Sequence, residues 1–233
     1  MDDIFLSVVI PCRDEEETIP FLKPSIQEFL KIKNTEIIFV DDGSKDKTRD
    51  LIKKYFPFSK VFIHKNPLGL SKALVTGTLN SKGMLIAWYD ADSTYNARYI
   101  HEMIDVINKK GADVVTVSPW HRKGKAIYVP FIRCVGSKVI SSIYRGLGFG
   151  SLSTYTALFR VHKRESLLEA LPKRDGFIGV AESLLKFIVQ NKVVVEIPAV
   201  LENRKKGFSK FRVLKGVLGH ISLMYELCFR RFE

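Results

Sequence analysis

The sequence predicts an α/β fold with a mostly parallel central sheet flanked by helices. Three observations carry this. Short β-branched apolar runs alternate with longer amphipathic stretches through about residue 120. The runs are apolar at nearly every position, as strands covered on both faces are. Three of them stop at acidic residues, and ligands of open parallel sheets bind beyond the carboxyl ends of the strands.

Phe5 to Pro11 (FLSVVIP) reads as the first strand, and Thr18 to Ile32 as a helix with Leu22, Ile26, Phe29 and Leu30 on one stripe. Glu36 to Val40 is the second strand, ended by Asp41-Asp42-Gly43-Ser44, and Asp46 to Tyr55 the second helix. Lys60 to His64 is a strand, and Leu70 to Asn80 a helix rich in small residues. Met84 to Tyr89 is a strand that stops at Asp90-Ala91-Asp92, followed by a helix over Ala97 to Lys109 and a strand over Ala112 to Ser118. Strands alternating in this way with helices of ~10–15 residues indicate a parallel sheet.

After Pro119 the pattern changes. Trp120 to Ala126 is a basic loop, Val129 to Tyr144 a helix with Arg133 and Lys138 off its apolar stripe, and Gly146 to Gly150 a flexible break. Thr154 to Phe159 is strand-like, Arg164 to Leu171 and Val180 to Gln190 are helical, and Lys192 to Ile197 is a strand. Arg204 to Lys210 forms a basic loop, and Val213 to Phe229 a helix with a wide apolar stripe. The expected division is a catalytic domain over 1–212 and a C-terminal amphipathic helix over 213–233.

The 233 residues suit one domain with a substantial core, and 46% hydrophobic with 27% charged residues describes a globular chain. Lys and Arg total 37 against 25 Asp and Glu, a formal net charge of +12, which implies an anionic partner: nucleic acid, nucleotide phosphates or an anionic membrane. The cysteines Cys12, Cys134 and Cys228 are far apart, so a zinc site or a disulfide scaffold is not expected, and a reducing cytosol is the simplest setting. Asp2 and Asp3 precede a short apolar run, which is not a signal-peptide pattern. No apolar run reaches the ~20 residues needed to cross a bilayer.

The acidic strand ends are Cys12-Arg13-Asp14-Glu15, Asp41-Asp42 and Asp90-Ala91-Asp92. Clustered carboxylates repel unless a cation joins them. A hard divalent ion does so through oxygen ligands and bridges substrate phosphates. Acidic residues at strand ends also serve as ordinary loop and cap residues; three in this order single out the metal reading. No Gly-x-x-x-x-Gly-Lys-Ser/Thr loop and no Gly-x-Gly-x-x-Gly after the first strand is present, which argues against a P-loop nucleotidase and a dehydrogenase. His64, His101, His121, His162 and His220 show no ligand spacing and read as surface or loop residues.

VVIPCRDEEETI, IIFVDDGSKDKT, NPLGLSKAL and YDADST resemble, in sequence and order, family 2 glycosyltransferases with the GT-A fold. SPWHRKGK, TYTALFRVHKRE, GFIGVAESLLK and EIPAVLENRKKGFSKF resemble the branch of dolichyl- or polyprenyl-phosphate mannose and glucose synthases. The resemblance implies a Rossmann-like nucleotide-binding fold and inverting transfer of a hexose from a GDP- or UDP-sugar to a lipid phosphate. It implies that Pro11, Arg13, Glu15 and Lys72 contact the nucleotide and that Asp41 or Asp42 meets base and ribose. Asp90 and Asp92 would hold Mg²⁺ or Mn²⁺ and the diphosphate, with Thr94 where some members place a further ligand. Arg122, Arg133, Arg204 and Lys210 would gather phosphates, and Glu182 would lie near sugar or acceptor. Asp92, Glu182, Arg133 and Arg204 are the residues expected to carry the transfer itself. Arg13 stands where an aromatic residue is usual, Pro119-Trp120-His121-Arg122 replaces a tighter Ser-Arg pair, and Ala157-Leu158-Phe159-Arg160 replaces Ser-Gly-Phe-Arg, marking a sister branch.

A lipid phosphate is already anionic at pH 7, so the protein must position and neutralise two anions, and no strong base is required. A hydroxyl acceptor would need one, and Glu182 or Asp175 would be the candidates. Val213 to Phe229 with Arg230 and Arg231 would lie in the membrane interface, pack on the core or pair with another subunit. The expected setting is peripheral, at the cytoplasmic face of a membrane. A basic nucleic-acid-binding module lacks any helix-turn-helix, RRM or zinc signature, and no nucleic acid is expected; a nucleotidyltransferase would carry a Gly-rich, basic first loop where this one is acidic.

Overall fold

The computed structural model describes residues 4–203 and 219–226. Its main sheet has seven strands: β1 (Leu6–Cys12), β2 (Thr35–Asp41), β3 (Lys60–Ile63), β4 (Leu85–Trp88), β5 (Val114–Ser118), β7 (Arg160–Lys163) and β8 (Val194–Pro198), in the order β3-β2-β1-β4-β7-β5-β8. Every pairing is parallel except those of β7, which runs antiparallel to both β4 and β5. The carboxyl ends of the six parallel strands therefore share one margin with the start of β7. Two short strands, β6 (Lys125–Ile127) and β9 (Val200–Glu202), pair separately.

The helices lie on both faces: α1 (Lys23–Leu30), α2 (Thr48–Tyr55), α3 (Leu70–Leu79), α4 (Tyr99–Lys110), α5 (Phe131–Gly146), α6 (Arg164–Glu169) and α7 (Gly176–Val189). Residues of one strand alternate between faces. Leu6, Val8 and Ile10 of β1 accordingly join the core under α1, α2 and α4, and Val9 joins the core under α3 and α7. Burial on both sides explains why these strands are almost wholly apolar. Gly77 lets α3 close on β1, since a Cβ there would come within 2.3 Å of Val9 Cγ1.

The order 3-2-1-4 reverses direction between β1 and β4, the point at which open α/β sheets bind ligands. The β1–β4 ladder runs only from Leu6↔Leu85 to Val9↔Trp88, whereas β1 stays paired with β2 as far as Cys12↔Asp41. Pro11, which has no N–H, falls where the β4 side has opened.

Three expectations are corrected. Thr154 to Phe159 is not a strand. Its backbone serves other partners: Glu196 Oε2 accepts from the amides of Ser153 (2.8 Å) and Thr154 (2.9 Å), and Arg160 Nη2 donates to Tyr155 O (2.8 Å). The strand is the next four residues, Arg-Val-His-Lys, of which Arg160 and His162 are fully buried. Part of the basic loop after Pro119 is the strand β6. Nor are all histidines superficial: His162 lies between the rings of Trp88 and Phe187, and buried His220 meets the Tyr144 hydroxyl at 2.8 Å. Of the expected helix over Val213 to Phe229, residues 219–226 are helical and the rest lies outside the described residues, as does the expected boundary at 212.

Burial, reinforced by the nearby Arg160 cation, pushes His162 down to about 3, and burial pushes His220 down to about 4. In the unfolded chain both titrate near 6.5. Between these values and about pH 6.5 the unfolded state binds more protons, so stability falls as pH falls, by up to about 1.4 kcal/mol per pH unit for each histidine. His162→Gln is expected to flatten this loss. Urea midpoints at pH 6.5 and 5 check it: an unchanged difference between them would remove His162 from the account.

Candidate active site

The loops after β1 and β2 are laced together. Asp14 sits at φ +47°, in the left-handed region that only a few non-glycine residues adopt. From there its amide donates to Ser44 Oγ (2.9 Å) and its carboxylate accepts from the Lys45 amide (2.8 Å). The Glu15 amide donates to Thr48 Oγ1 (2.7 Å), and the Glu15 carboxylate accepts from Thr18 Oγ1 (2.8 Å). Pro11 is buried, Arg13 is exposed and Glu15 is partly exposed at the mouth of this pair of loops.

Asp41 and Asp42 are both buried. Asp41 accepts from the Ser44 amide (3.2 Å) and from Arg49 Nε (2.5 Å). Asp42 accepts from the amides of Leu68 (2.7 Å) and Gly69 (2.9 Å) and contacts His64 Nδ1 at 2.7 Å, while His64 Nε2 meets Thr76 Oγ1 at 2.9 Å. Asp42 thus clamps the loop that leads into α3, whose third residue, Lys72, is exposed. Gly69 has φ +98°, and a Cβ there would lie 2.1 Å from Asp175 Oδ1. Only glycine lets Asp175, at the N-cap of α7, lie against the start of α3; Ser71 Oγ donates to Gly176 O (2.8 Å) across the same junction.

On the other side of β1, Asp90 and Asp92 lie partly exposed on the turn after β4. Asp92 Oδ1 accepts from the Thr94 amide (3.2 Å), and Ser93 adopts φ +52°. The turn is pinned from below: Tyr89 Oη donates to Tyr95 O (2.7 Å), and Ser25 Oγ lies 3.0 Å from Tyr89 Oη and 3.3 Å from Ser93 Oγ. Thr94 is buried and its carbonyl accepts from the Glu202 amide (2.9 Å), which ties the turn to β9. Burial raises the Tyr95 phenol; Asp90 pushes it further, Arg133 opposes and Asp92 adds to the rise. The charges of these two carboxylates and of Arg133 thus all reach the same phenol. A cavity of about 360 Å³ opens beside the turn, lined by Asp92, Ser93, Tyr95, Arg98, Glu28 and Phe21 among others.

The topology brings Pro11, Arg13, Glu15, Asp41, Asp42, Asp90, Asp92 and Thr94 to adjoining strand ends, with Lys72 behind them and Arg122 and Arg133 following β5 on the same margin. Arg122 and Arg133 are exposed. Glu182, on α7, is buried and accepts from the amides of Lys173 (3.0 Å) and Arg174 (2.8 Å) and from Lys186 Nζ (2.7 Å). It holds the turn that carries Asp175. Arg204 and Lys210 lie outside the described residues. Sequence reasoning missed His64 and Arg160. The guanidinium of Arg160 is fully buried at the start of β7, its Nη1 donating to Val180 O (2.6 Å), and burial pulls it down to about 9. The Phe-Arg pair in TALFR was the signal for Arg160; nothing in the sequence pointed to the His64–Asp42 contact.

Among the described residues, no group of three His, Cys, Asp or Glu side chains gathers to hold a metal. Mg²⁺-type ions are typically bound by one or two carboxylates and complete their shell with water and substrate phosphates. Asp90 and Asp92 on one turn are such a donor set, and they fit a hard divalent ion.

Residues 7–169 match the glycosyl transferase family 2 profile. The chain belongs to glycosyl transferase family 2. The family 2 chain is 34% identical over 231 residues to a dolichol-phosphate mannosyltransferase of Pyrococcus furiosus, covering 95% of this chain and 63% of that protein. It is 28% identical over 237 residues to an undecaprenyl-phosphate 4-deoxy-4-formamido-L-arabinose transferase of Pectobacterium atrosepticum, covering 97% of this chain and 68% of that one. It thus spans about two thirds of the length of these relatives. Glucosyl-3-phosphoglycerate synthase of Mycobacterium tuberculosis, solved with Mn²⁺, UDP and glucosyl-3-phosphoglycerate, shares the fold at TM-score 0.72 and 17% identity, over 96% of this chain and 78% of that one. The chain is therefore a glycosyltransferase with a GT-A fold.

Proposed function

We propose that this glycosyltransferase moves a hexose, with inversion, from a GDP- or UDP-linked donor to a polyprenyl or dolichyl phosphate, in a reaction that needs Mg²⁺ or Mn²⁺. One observation carries the reading: Asp90 and Asp92 stand on one turn, partly exposed, where the β1–β4 ladder has opened, with the charge of Arg133 reaching the same Tyr95 phenol as theirs. The names of the relatives support a lipid-phosphate acceptor, and the bound UDP and Mn²⁺ of the synthase with the same fold support donor and ion.

On this reading the β1 and β2 loops and Lys72 hold the nucleotide. Asp90 and Asp92 hold the ion, with Thr94 fixing their turn; when bound, it neutralises charge on the departing diphosphate. Arg122, Arg133, Arg204 and Lys210 gather the acceptor phosphate, for which bidentate guanidinium groups are suited. Glu182 sets the position of the turn before α7, at the edge of the acceptor region. The enzyme works as a peripheral protein at the cytoplasmic face of a membrane, without nucleic acid as partner. No described helix is long and apolar enough to cross one.

A ligand that binds only the folded state raises its melting temperature. Mn²⁺ with UDP or GDP is expected to do so, and oligonucleotides are not. A screen of nucleotide-sugars with Mn²⁺, with and without polyprenyl phosphate, read as nucleoside diphosphate release, tests the whole reaction. Release that never depends on the lipid phosphate overturns the acceptor assignment.

A further inference from the structure

We propose that the outward face of α5, together with Tyr128 just before it, is a docking surface for an anionic lipid bilayer. The helix is amphipathic in the reverse of the usual sense. At about 100° per residue, Phe131, Ile132, Val135, Val139 and Ile143 fall within one third of its circumference. That third faces solvent, with exposures of 82%, 66%, 40%, 49% and 41%. The side turned to the protein carries Ser137, Ser141 and Tyr144, with Ile140 packed against the core. Tyr128, at φ +54°, is 89% exposed and extends the patch beyond the helix start. A contiguous apolar patch of this kind on a soluble surface marks an interaction site.

Charge decides the occupant. On the helical wheel Lys138 and Arg145 border the apolar third on one side, and Arg133 lies about 80° beyond its other edge; none of the three lies within it. Residues 119–164 contain no Asp or Glu at all. A second copy docked by two-fold symmetry would set these cations against their equals with no carboxylate from the segment to meet them. Anionic headgroups would neutralise them while the apolar face enters the acyl boundary, the arrangement of a helix lying in the interface. At sixteen residues, α5 is about 24 Å long and suited to lying along the surface. Exposure is greatest at Tyr128, Phe131 and Ile132, so this end inserts deepest, and Arg133 beside it is the residue whose charge reaches Tyr95, which follows the Asp90–Asp92 turn. A phosphate at the headgroup level of a lipid would thus enter next to the active site. That use of the surface rests on the lipid-phosphate reading; the docking itself does not.

The test is co-sedimentation of the full chain with vesicles of phosphatidylglycerol and phosphatidylcholine, without acceptor, beside turnover with polyprenyl phosphate in detergent. Wild type is expected to bind the anionic vesicles, less at high salt, and pure phosphatidylcholine far more weakly. Phe131→Ser with Ile132→Ser is expected to lower partitioning at least tenfold, with unchanged circular dichroism and unchanged turnover in detergent. Val139→Gln, farther along the stripe, serves if the double variant fails to fold. Wild type that ignores anionic vesicles, variants that bind as well as wild type, or a dimer that the substitutions dissolve without affecting vesicle binding would each overturn the proposal. Detergent turnover judges the acceptor assignment separately.

Discussion

Asp92→Asn is expected to lower turnover on the order of 10³-fold or more while the protein stays folded. The substitution keeps size and shape and removes one negative charge. The amide oxygen of Asn still accepts from the Thr94 amide, so the turn after β4 keeps the bond that Asp92 Oδ1 makes at 3.2 Å. A bound divalent ion contributes several kcal/mol of charge stabilisation in the transition state, and each 1.36 kcal/mol is about tenfold in rate. Substitutions at exposed positions away from buried networks usually cost within about 0.5 kcal/mol, so the melting temperature should move by no more than about 2 °C. The Mn²⁺-dependent rise in melting temperature should shrink with the rate, which gives a readout besides activity. Unchanged turnover would remove Asp92 from the ion site; a collapsed melting temperature would make it a structural residue.

The first half of the fold was legible because its strands are buried on both faces. A run such as Val8-Val9-Ile10 leaves periodicity little else to report. The acidic strand ends were legible for the same reason: the apolar run stops and the polar residues begin at the sheet margin. The direction of a carboxylate was not. Asp41 and Asp42 lie at the expected strand end, but they face inward, to Arg49 and His64, through contacts that exist only once α2 and α3 pack on β2. β7 was illegible because three of its four residues, Arg160, His162 and Lys163, are ionisable. Arg160 and His162 are tolerated inside because Trp88 and Phe187 cover the imidazole and main-chain carbonyls receive the guanidinium. The apolar stripe of α5 was visible as a period, but a period does not say which medium the stripe faces. Outward placement becomes evident only when Ser137, Ser141, Tyr144 and Ile140 are seen to occupy its protein side.

Glu182→Ala is expected to destabilise the fold by about 3–5 kcal/mol, the usual cost of removing one partner of a buried ion pair. Glu182 and Lys186 are 2% and 7% exposed, and their charged atoms lie 2.7 Å apart. Without the carboxylate, the ammonium loses its 2.7 Å ion pair while the Leu171 carbonyl still accepts from it at 2.7 Å, and the amides of Lys173 and Arg174 lose this acceptor. For a chain of this length that cost corresponds to a fall in melting temperature of about 10 °C or more. Glu182→Gln retains an acceptor for the two amides and should lose less. Pairing Glu182→Gln with Lys186→Met, which removes both charges, should recover part of the loss, because the uncompensated buried charge is the larger share. Thermal unfolding of the three variants, beside their kcat, separates two roles for this carboxylate. If stability falls while the surviving folded enzyme turns over near the wild-type rate, Glu182 acts by holding the turn that sets Asp175 against Gly69. If stability holds and kcat falls, the carboxylate acts on the substrates directly, and the hydrogen bonds to Lys173 and Arg174 must open to release it.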